Sequence, residues 1–363
     1  MADRGEAAAD AAGKTGSCGQ VPTVSVIVPV LNEATDIESC LLAIEAQTYP
    51  GIVEILVADG GSTDRTAEIA VSHARVRVLD NPGRLQAAGL NVALAEATGE
   101  VVVRVDGHSL IHPDYVERCV TSLATTGAAM VGGMMVPAKT GGWVQRAIGV
   151  AMSSRLGAGP ARFHVGGAPG WVDTVYLGCY RADVAREKGG YDPAFVLNED
   201  AEFAVRMREA GGVWFDPAIR ATYVPRGSVP AVARQFFRYG KARAGTVRRH
   251  PASLSARQLA PPLLLLGLVS PWRRWIGLVY AGAVSARAAA ELRRDPPAAG
   301  GLLLILPTMH LPWALGFLIG LASPQPGPSS PAGVARRQGL PPPRLDPSTR
   351  PASSARSGPV TAP

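Results

Sequence analysis

Over the first third of the chain, apolar residues fall in short continuous runs separated by polar turns. VSVIVPV (24–30), EILVADG (54–60), VRVLD (76–80) and VVVRVD (101–106) read as strands. Continuous runs rich in β-branched residues suit strands covered on both faces. Between them the period changes. Ile37, Leu41 and Ile44 recur at helical spacing behind a capping Thr35 or Asp36, a second helix starts near Arg65, and Arg84 to Ala97 predicts a third closed by Thr98-Gly99. Strands and helices alternating at this spacing predict a doubly wound, mostly parallel α/β sheet. From 107 to 225 the pattern is less regular: AAMVGGMMV (128–136) predicts a strand, GWVDTVYLGCYR (170–181) is mixed, and EDAEFAVRMREAGG (199–212) predicts a helix ended by glycine, with Glu202 and Arg206 as an i,i+4 pair.

Beyond Arg257 the chain turns apolar in three stretches, 259–271, 275–290 and 301–323, the first two separated by Trp272-Arg273-Arg274-Trp275. The last runs uncharged for more than twenty residues, enough to span a bilayer core of about 30 Å. A paired arginine is costly at mid-bilayer and marks an interface instead. These patterns predict a disordered leader (1–21), a catalytic domain (22–257), membrane-associated helices (258–323) and a disordered tail (324–363) rich in Pro, Ser and Arg. The leader has acids and no apolar core, so it does not read as a secretory signal.

Charge sharpens the division. Residues 226–363 hold 18 basic and 3 acidic side chains, whereas the first 225 hold 18 and 26. An acidic body joined to a basic, apolar end implies a partner such as anionic lipid or polyphosphate. Nucleic acid is not implied, because the basic residues alternate with long apolar runs and not with aromatic stacking platforms. Cys18, Cys40, Cys119 and Cys179 form no CxxC pair, which implies neither a disulfide framework nor a zinc knuckle and suits a reducing, cytosolic setting.

Polar residues cluster where the strands end: Asn32 and Glu33 after the first, Asp59, Gly60, Ser62 and Asp64 after the second, Arg84 before the third helix, Asp106 and His108 after the fourth. Ligands of doubly wound sheets bind at that edge. The set offers acceptors for a base and ribose, a cation for phosphate, and ligands for a divalent metal. There is no GxGxxG and no GxxxxGK[ST], so dinucleotide and P-loop chemistry lose their support. What remains is a nucleoside diphosphate held through metal and arginine.

The blocks VSVIVPVLNE, ADGGSTDRT, GRLQAAGLNVAL, VRVDGHS, GGYDP and LNEDAEFAVRMREAGG, in this order, resemble the inverting glycosyltransferases of family 2, with the A-type fold. RQFFRYGKARAG and MHLPWALGFLIG are similar to the subgroup that builds exopolysaccharides such as succinoglycan. The resemblance implies a Rossmann-like, mostly parallel sheet followed by C-terminal hydrophobic membrane helices. It places Pro29, Asn32 and Glu33 at the base and ribose, with Gly60, Ser62 and Asp64 beside them. Asp59 falls on the nucleobase, Arg84 near the base and phosphates, and Asp106 at the first position of the DxD metal motif. His108 stands where a second aspartate is usual; it either ligates Mn2+ or Mg2+ or contacts a phosphate or sugar hydroxyl. Asp200 matches the catalytic base that takes the acceptor proton, with Glu199 beside it, Asp173 on the acceptor side and Arg238 toward the diphosphate or a lipid phosphate. Processive relatives carry a Gln-Arg-Trp signature near 234–244, and the tryptophan is missing here.

The implied activity is transfer of a sugar from a nucleotide-sugar donor to a lipid-linked or glycan acceptor at the cell membrane, with a cytoplasmic catalytic domain and other polysaccharide-synthesis proteins as partners. A second reading is a non-catalytic scaffold that keeps the fold and has lost metal binding through His108.

Overall fold

The computed structural model describes residues 21–138 and 141–323. Apart from Val21, the predicted leader lies outside the described residues, as does the predicted tail. In chain order the strands are β1 (Val24–Val30), β2 (Ile52–Asp59), β3 (Val76–Asp80), β4 (Val101–Arg104), β5 (Leu110–Ile111), β6 (Met130–Pro137), β7 (Gly170–Trp171), β8 (Tyr176–Arg181) and β9 (Val213–Tyr223). They form one sheet in the order β3-β2-β1-β4-β8-β6-β9-β5, with β7 also on β9. The first four strands of that path run parallel, and β8 is antiparallel to both its neighbours.

The helices of the sheet region are α1 (Ile37–Glu45), α2 (Thr66–Val71), α3 (Gln86–Glu96), α4 (Tyr115–Thr126), α5 (Trp143–Met152), α6 (Arg155–Ala158), α7 (Arg162–Val165), α8 (Ala182–Glu187) and α9 (Glu199–Ala210). Alternation along β1 shows why the central strands are largely apolar on both faces. Val24, Val26, Val28 and Val30 pack toward α1 and α4, while Ile27 points to the opposite core with Leu90 of α3 and Phe203 of α9. The fourth strand is shorter than its apolar run: β4 stops at Arg104, although the Val105 N–H still donates to Ile27 O at 3.0 Å. The chain then turns, with Ser109 N donating to Asp106 O at 2.8 Å.

Four α-helices follow among the described residues: α10 (Val229–Arg249), α11 (Ala256–Leu268), α12 (Arg273–Glu291) and α13 (Pro296–Ala322). Among the described helices only α13 is long and apolar enough to cross a membrane. It does not stand apart from the catalytic body. Leu302, Ile305 and Met309 share a core with Val144 and Ala147 of α5, Val232 of α10 and Val284 of α12. The later half of α13 lies along α10 at backbone distance: a Cβ at Gly316 would fall 2.1 Å from Phe237 O, and one at Gly240 2.0 Å from Trp313 O. The other side is exposed and apolar, through Leu303, Leu304, Leu315, Ile319 and Leu321. α11 and α12 form a hairpin whose turn holds Trp272 and Trp275 at 68% and 69% exposure, flanked by exposed Leu263, Leu266, Val269, Leu278 and Val279.

Candidate active site

The loops leaving β1 and β2 are laced together. Asn32 N donates to Ser62 Oγ at 2.9 Å, Thr63 N donates back to Asn32 Oδ1 at 2.8 Å, Glu33 N donates to Thr66 Oγ1 at 2.8 Å and Ala34 N to Asp64 Oδ2 at 3.1 Å. Asp59 closes its own turn, accepting from Ser62 N at 3.1 Å and Ser62 Oγ at 2.5 Å. Gly60 N donates to Val30 O at 2.9 Å, joining this turn to the end of β1, and Pro29 is buried inside that strand. Arg84 does not open α3 as the pattern predicts. Its φ of +54° is incompatible with helix, so it sits one residue before the extended Leu85 and reaches across to Gly61 O at 3.3 Å. Of the four non-glycine residues with positive φ among the described residues, Asn32, Arg84 and Asn198 lie in the loops that carry the site. Such conformations cost on the order of 1–3 kcal/mol and persist where the surroundings enforce them.

Arg104 organises the middle. Its Nε donates to Asp106 Oδ1 at 2.8 Å, and one terminal nitrogen reaches Asp106 Oδ2 at 3.3 Å and Glu199 Oε1 at 3.1 Å. Its guanidinium lies 5.7 Å from the centroid of the Tyr191 ring. Gln86 Nε2 adds a bond to Asp106 Oδ1 at 3.1 Å. Burial works against the Asp106 charge, but the Arg104 guanidinium outweighs it and holds the carboxyl below the usual range. For Glu199 the balance is reversed: burial, helped by the Asp200 carboxylate, pushes it up to about 7 despite Arg104. Asp200 is half-buried at the start of α9, with Ala201 N donating to its Oδ1 at 2.7 Å. Asn198 sets the start of that helix against α10 by donating to Thr246 Oγ1 at 2.6 Å.

His108 is exposed beside this group, with Nδ1 2.9 Å from Glu33 Oε1. That contact, joined by the Asp106 charge, raises its pKa against the opposing effect of burial. Among the described residues no group of three His, Cys, Asp or Glu side chains converges as a metal site. A magnesium-like ion that keeps its waters and takes oxygens from a diphosphate needs only one or two protein ligands. Asp106 could supply a carboxylate to such an ion, and with Nδ1 on Glu33 the other nitrogen of His108 would be the one left for ligation.

The structure thus gathers Asn32, Glu33, Asp59, Gly60, Ser62, Asp64, Arg84, Asp106, His108, Glu199 and Asp200 at one edge of the sheet. Arg238 is exposed on α10, and Asp173 lies elsewhere, 3.1 Å from Arg208. Sequence reasoning missed Arg104, Gln86 and Tyr191. The signal for Arg104 was an arginine inside an apolar strand run, since a buried guanidinium requires partners.

A mostly parallel sheet with acidic loops at its carboxyl edge defines an A-type glycosyltransferase fold. The model of Glycosyl transferase family 2 matches residues 25–166. The succinoglycan biosynthesis protein ExoA of Rhizobium meliloti is 33% identical over 312 residues, 80% of this chain and 93% of that protein. The chain belongs to glycosyltransferase family 2. Glycosyltransferase AglE of Haloferax volcanii is 37% identical over 31% of this chain and 39% of its own length. In structure the chain is similar to the mannosyltransferase PcManGT of Pyrobaculum calidifontis, solved with GDP-Man and Mn2+, with a TM-score of 0.51 over 83% of this chain and 86% of that one at 23% identity.

Proposed function

We propose that this glycosyltransferase is an inverting, metal-dependent enzyme seated on the cytoplasmic face of the cell membrane. It moves a sugar from a nucleotide-diphosphate donor to a lipid-linked or polysaccharide acceptor in exopolysaccharide synthesis. The observation that carries the reading is the Arg104 bridge, which joins the candidate metal ligand Asp106 to Glu199, the neighbour of Asp200. It couples the donor side of the site to the carboxylate that would act on the acceptor.

In that reading Asn32, Glu33, Asp59, Gly60, Ser62 and Asp64 hold the base and ribose, and Arg84 faces the phosphates. Asp106 and His108 would hold a Mn2+ or Mg2+ ion, which when bound would supply positive charge to offset that of the departing diphosphate. Asp200 accepts the proton of the acceptor hydroxyl as that oxygen attacks the anomeric carbon from the face opposite the leaving group. Glu199 is buried and bound to Arg104, so it positions the start of α9 and does not reach the acceptor. The exposed apolar sides of α11, α12 and α13, with Arg273 and Arg274 between two tryptophans, supply the seat on the bilayer.

The engaged carboxylate of Asp106 and the absence of a three-ligand cluster among the described residues favour the scaffold as a second reading. The test is release of nucleoside diphosphate from a panel of nucleotide sugars by membranes carrying the wild type or Asp200→Asn, with manganese, magnesium or chelator. Turnover of one donor that requires metal and Asp200 supports the enzyme; no turnover with any donor and metal supports the scaffold.

A further inference from the structure

A second polar cluster lies along the face of α9 that continues from Asp200. Ala201, Val205 and Arg208 line one wall of a cleft; Arg243 of α10 and Ser253 and Arg257 at the root of α11 line the rest. Three guanidinium groups crowd here against one carboxylate, Asp173, which is 3.1 Å from Arg208 and 3.8 Å from Arg257. The cluster is under-partnered. Arg208 Nε, Arg243 Nε and Ser253 Oγ are buried atoms without a hydrogen-bond partner, although such groups are ordinarily paired. Burial, then repulsion from Arg257, lowers Arg243 to about 10.

We propose that this cleft, whose free volume is about 20 Å³, opens to bind the diphosphate of a lipid-linked acceptor, with Asp173 as a resident anion that the ligand displaces. The inference rests on the transferase reading for its ligand. Seven residues of helix separate Ala201 from Arg208, about 10 Å, room for one sugar ring between an anchored diphosphate and a hydroxyl at Asp200. Beyond Arg257 the same helix, α11, presents exposed Leu259 and Leu263, a path for a prenyl chain toward the bilayer. Arginine forks match phosphate oxygens bidentately, which suits this cation over lysine. Asp173 is 58% exposed at its side chain and has room to swing away.

The test is calorimetric titration of the full chain in detergent micelles with farnesyl diphosphate, inorganic pyrophosphate and, as a blank, farnesol. Chelator is present to weaken metal-dependent diphosphate binding at the donor side. Farnesyl diphosphate should bind at least tenfold more weakly to Arg243→Gln and Arg257→Gln, several-fold more tightly to Asp173→Asn, and unchanged to Asp106→Asn. Arg257→Gln loses only a 3.8 Å contact, so it keeps the comparison valid if Arg243→Gln misfolds. Equal binding to wild type and both arginine variants, or loss confined to Asp106→Asn, overturns the site. Pyrophosphate binding as tightly as farnesyl diphosphate, or farnesol binding as tightly, overturns the lipid assignment. Donor turnover measured on the same variants separates the two readings: turnover without this binding pattern removes the cleft alone, and the pattern without turnover removes the transferase reading alone.

Discussion

Arg104 and Glu199 are 95 residues apart in the chain, yet a guanidinium nitrogen of one lies 3.1 Å from a carboxylate oxygen of the other. Both side chains are buried, and the same guanidinium holds Asp106. Removing one partner of a buried ion pair strands the remaining charge, typically at about 3–5 kcal/mol. Arg104→Met keeps the chain's volume and removes the bridge from two carboxylates. Urea unfolding should show a loss of about that size. A loss near that of an exposed ion pair, under about 1 kcal/mol, means Arg104 does not hold the two halves of the site together.

Asp200→Asn keeps the shape of the α9 start and removes the proton acceptor. If Asp200 is the base, kcat should fall by about 10²–10⁴ while the donor KM is unchanged, because the group acts only as the acceptor oxygen loses its proton. A rise in KM with kcat intact would instead place Asp200 in donor binding.

The protonation of Glu199 has a stability signature of its own. With a folded pKa of about 7 against an ordinary 4.5, the folded protein binds a proton that the unfolded chain has released. Stability therefore falls as pH rises through that window, by up to about 3 kcal/mol. Asp106 has the opposite sign: its depressed pKa contributes stability that is lost as pH falls through the acid range. Glu199→Gln should flatten the slope between pH 5 and pH 8 in urea titrations and leave the acid limb in place. An unaltered slope in the variant assigns the titration to another group.

Much of the sheet was legible because its central strands are covered on both faces and so are apolar at nearly every position, as Val24 to Val30 are with Ser25 the one polar exception. The strand-end carboxylates were legible for the same reason, standing out where each run stops. Arg84 was misplaced because a local pattern does not reveal a positive φ enforced by a neighbouring loop. Arg104 was overlooked because the carboxylate that makes it a bridge, Glu199, comes from α9, far along the chain. The seating of α13 was the least legible, since an apolar stretch reads alike whether lipid or α5 and α10 cover one of its sides. The Asp173 cleft draws on four separated segments and has no local signature.

Packing of α13 on α10 can be tested at two glycines. At Gly316 a side chain would meet Phe237 O, a backbone atom that cannot move aside, so Gly316→Leu should destabilise by about 3 kcal/mol, the upper end of overpacking. At Gly300, in the same helix, a Cβ meets nothing within 4 Å. Gly300→Ala should stabilise by about 0.5–1 kcal/mol through helix propensity. If Gly316→Leu is neutral, the two helices are not in contact in solution.

In the proposed membrane-seated reading, the turn of the α11–α12 hairpin is the part that meets the bilayer. Trp272 and Trp275 are exposed on either side of Arg273 and Arg274, a composition suited to the headgroup layer, where indole rings lie with one edge apolar and one wet. Neither tryptophan is part of the buried core, so replacing both with serine should leave urea unfolding in detergent unchanged. The same double variant should bind vesicles containing anionic lipid markedly more weakly, and Arg273→Gln with Arg274→Gln should weaken binding further at low salt than at high salt. Cosedimentation with vesicles of mixed neutral and anionic lipid reads both effects. Undiminished binding of the tryptophan variant would move the membrane contact from the hairpin to the exposed side of α13, where Leu303, Leu304 and Leu315 are the next residues to change.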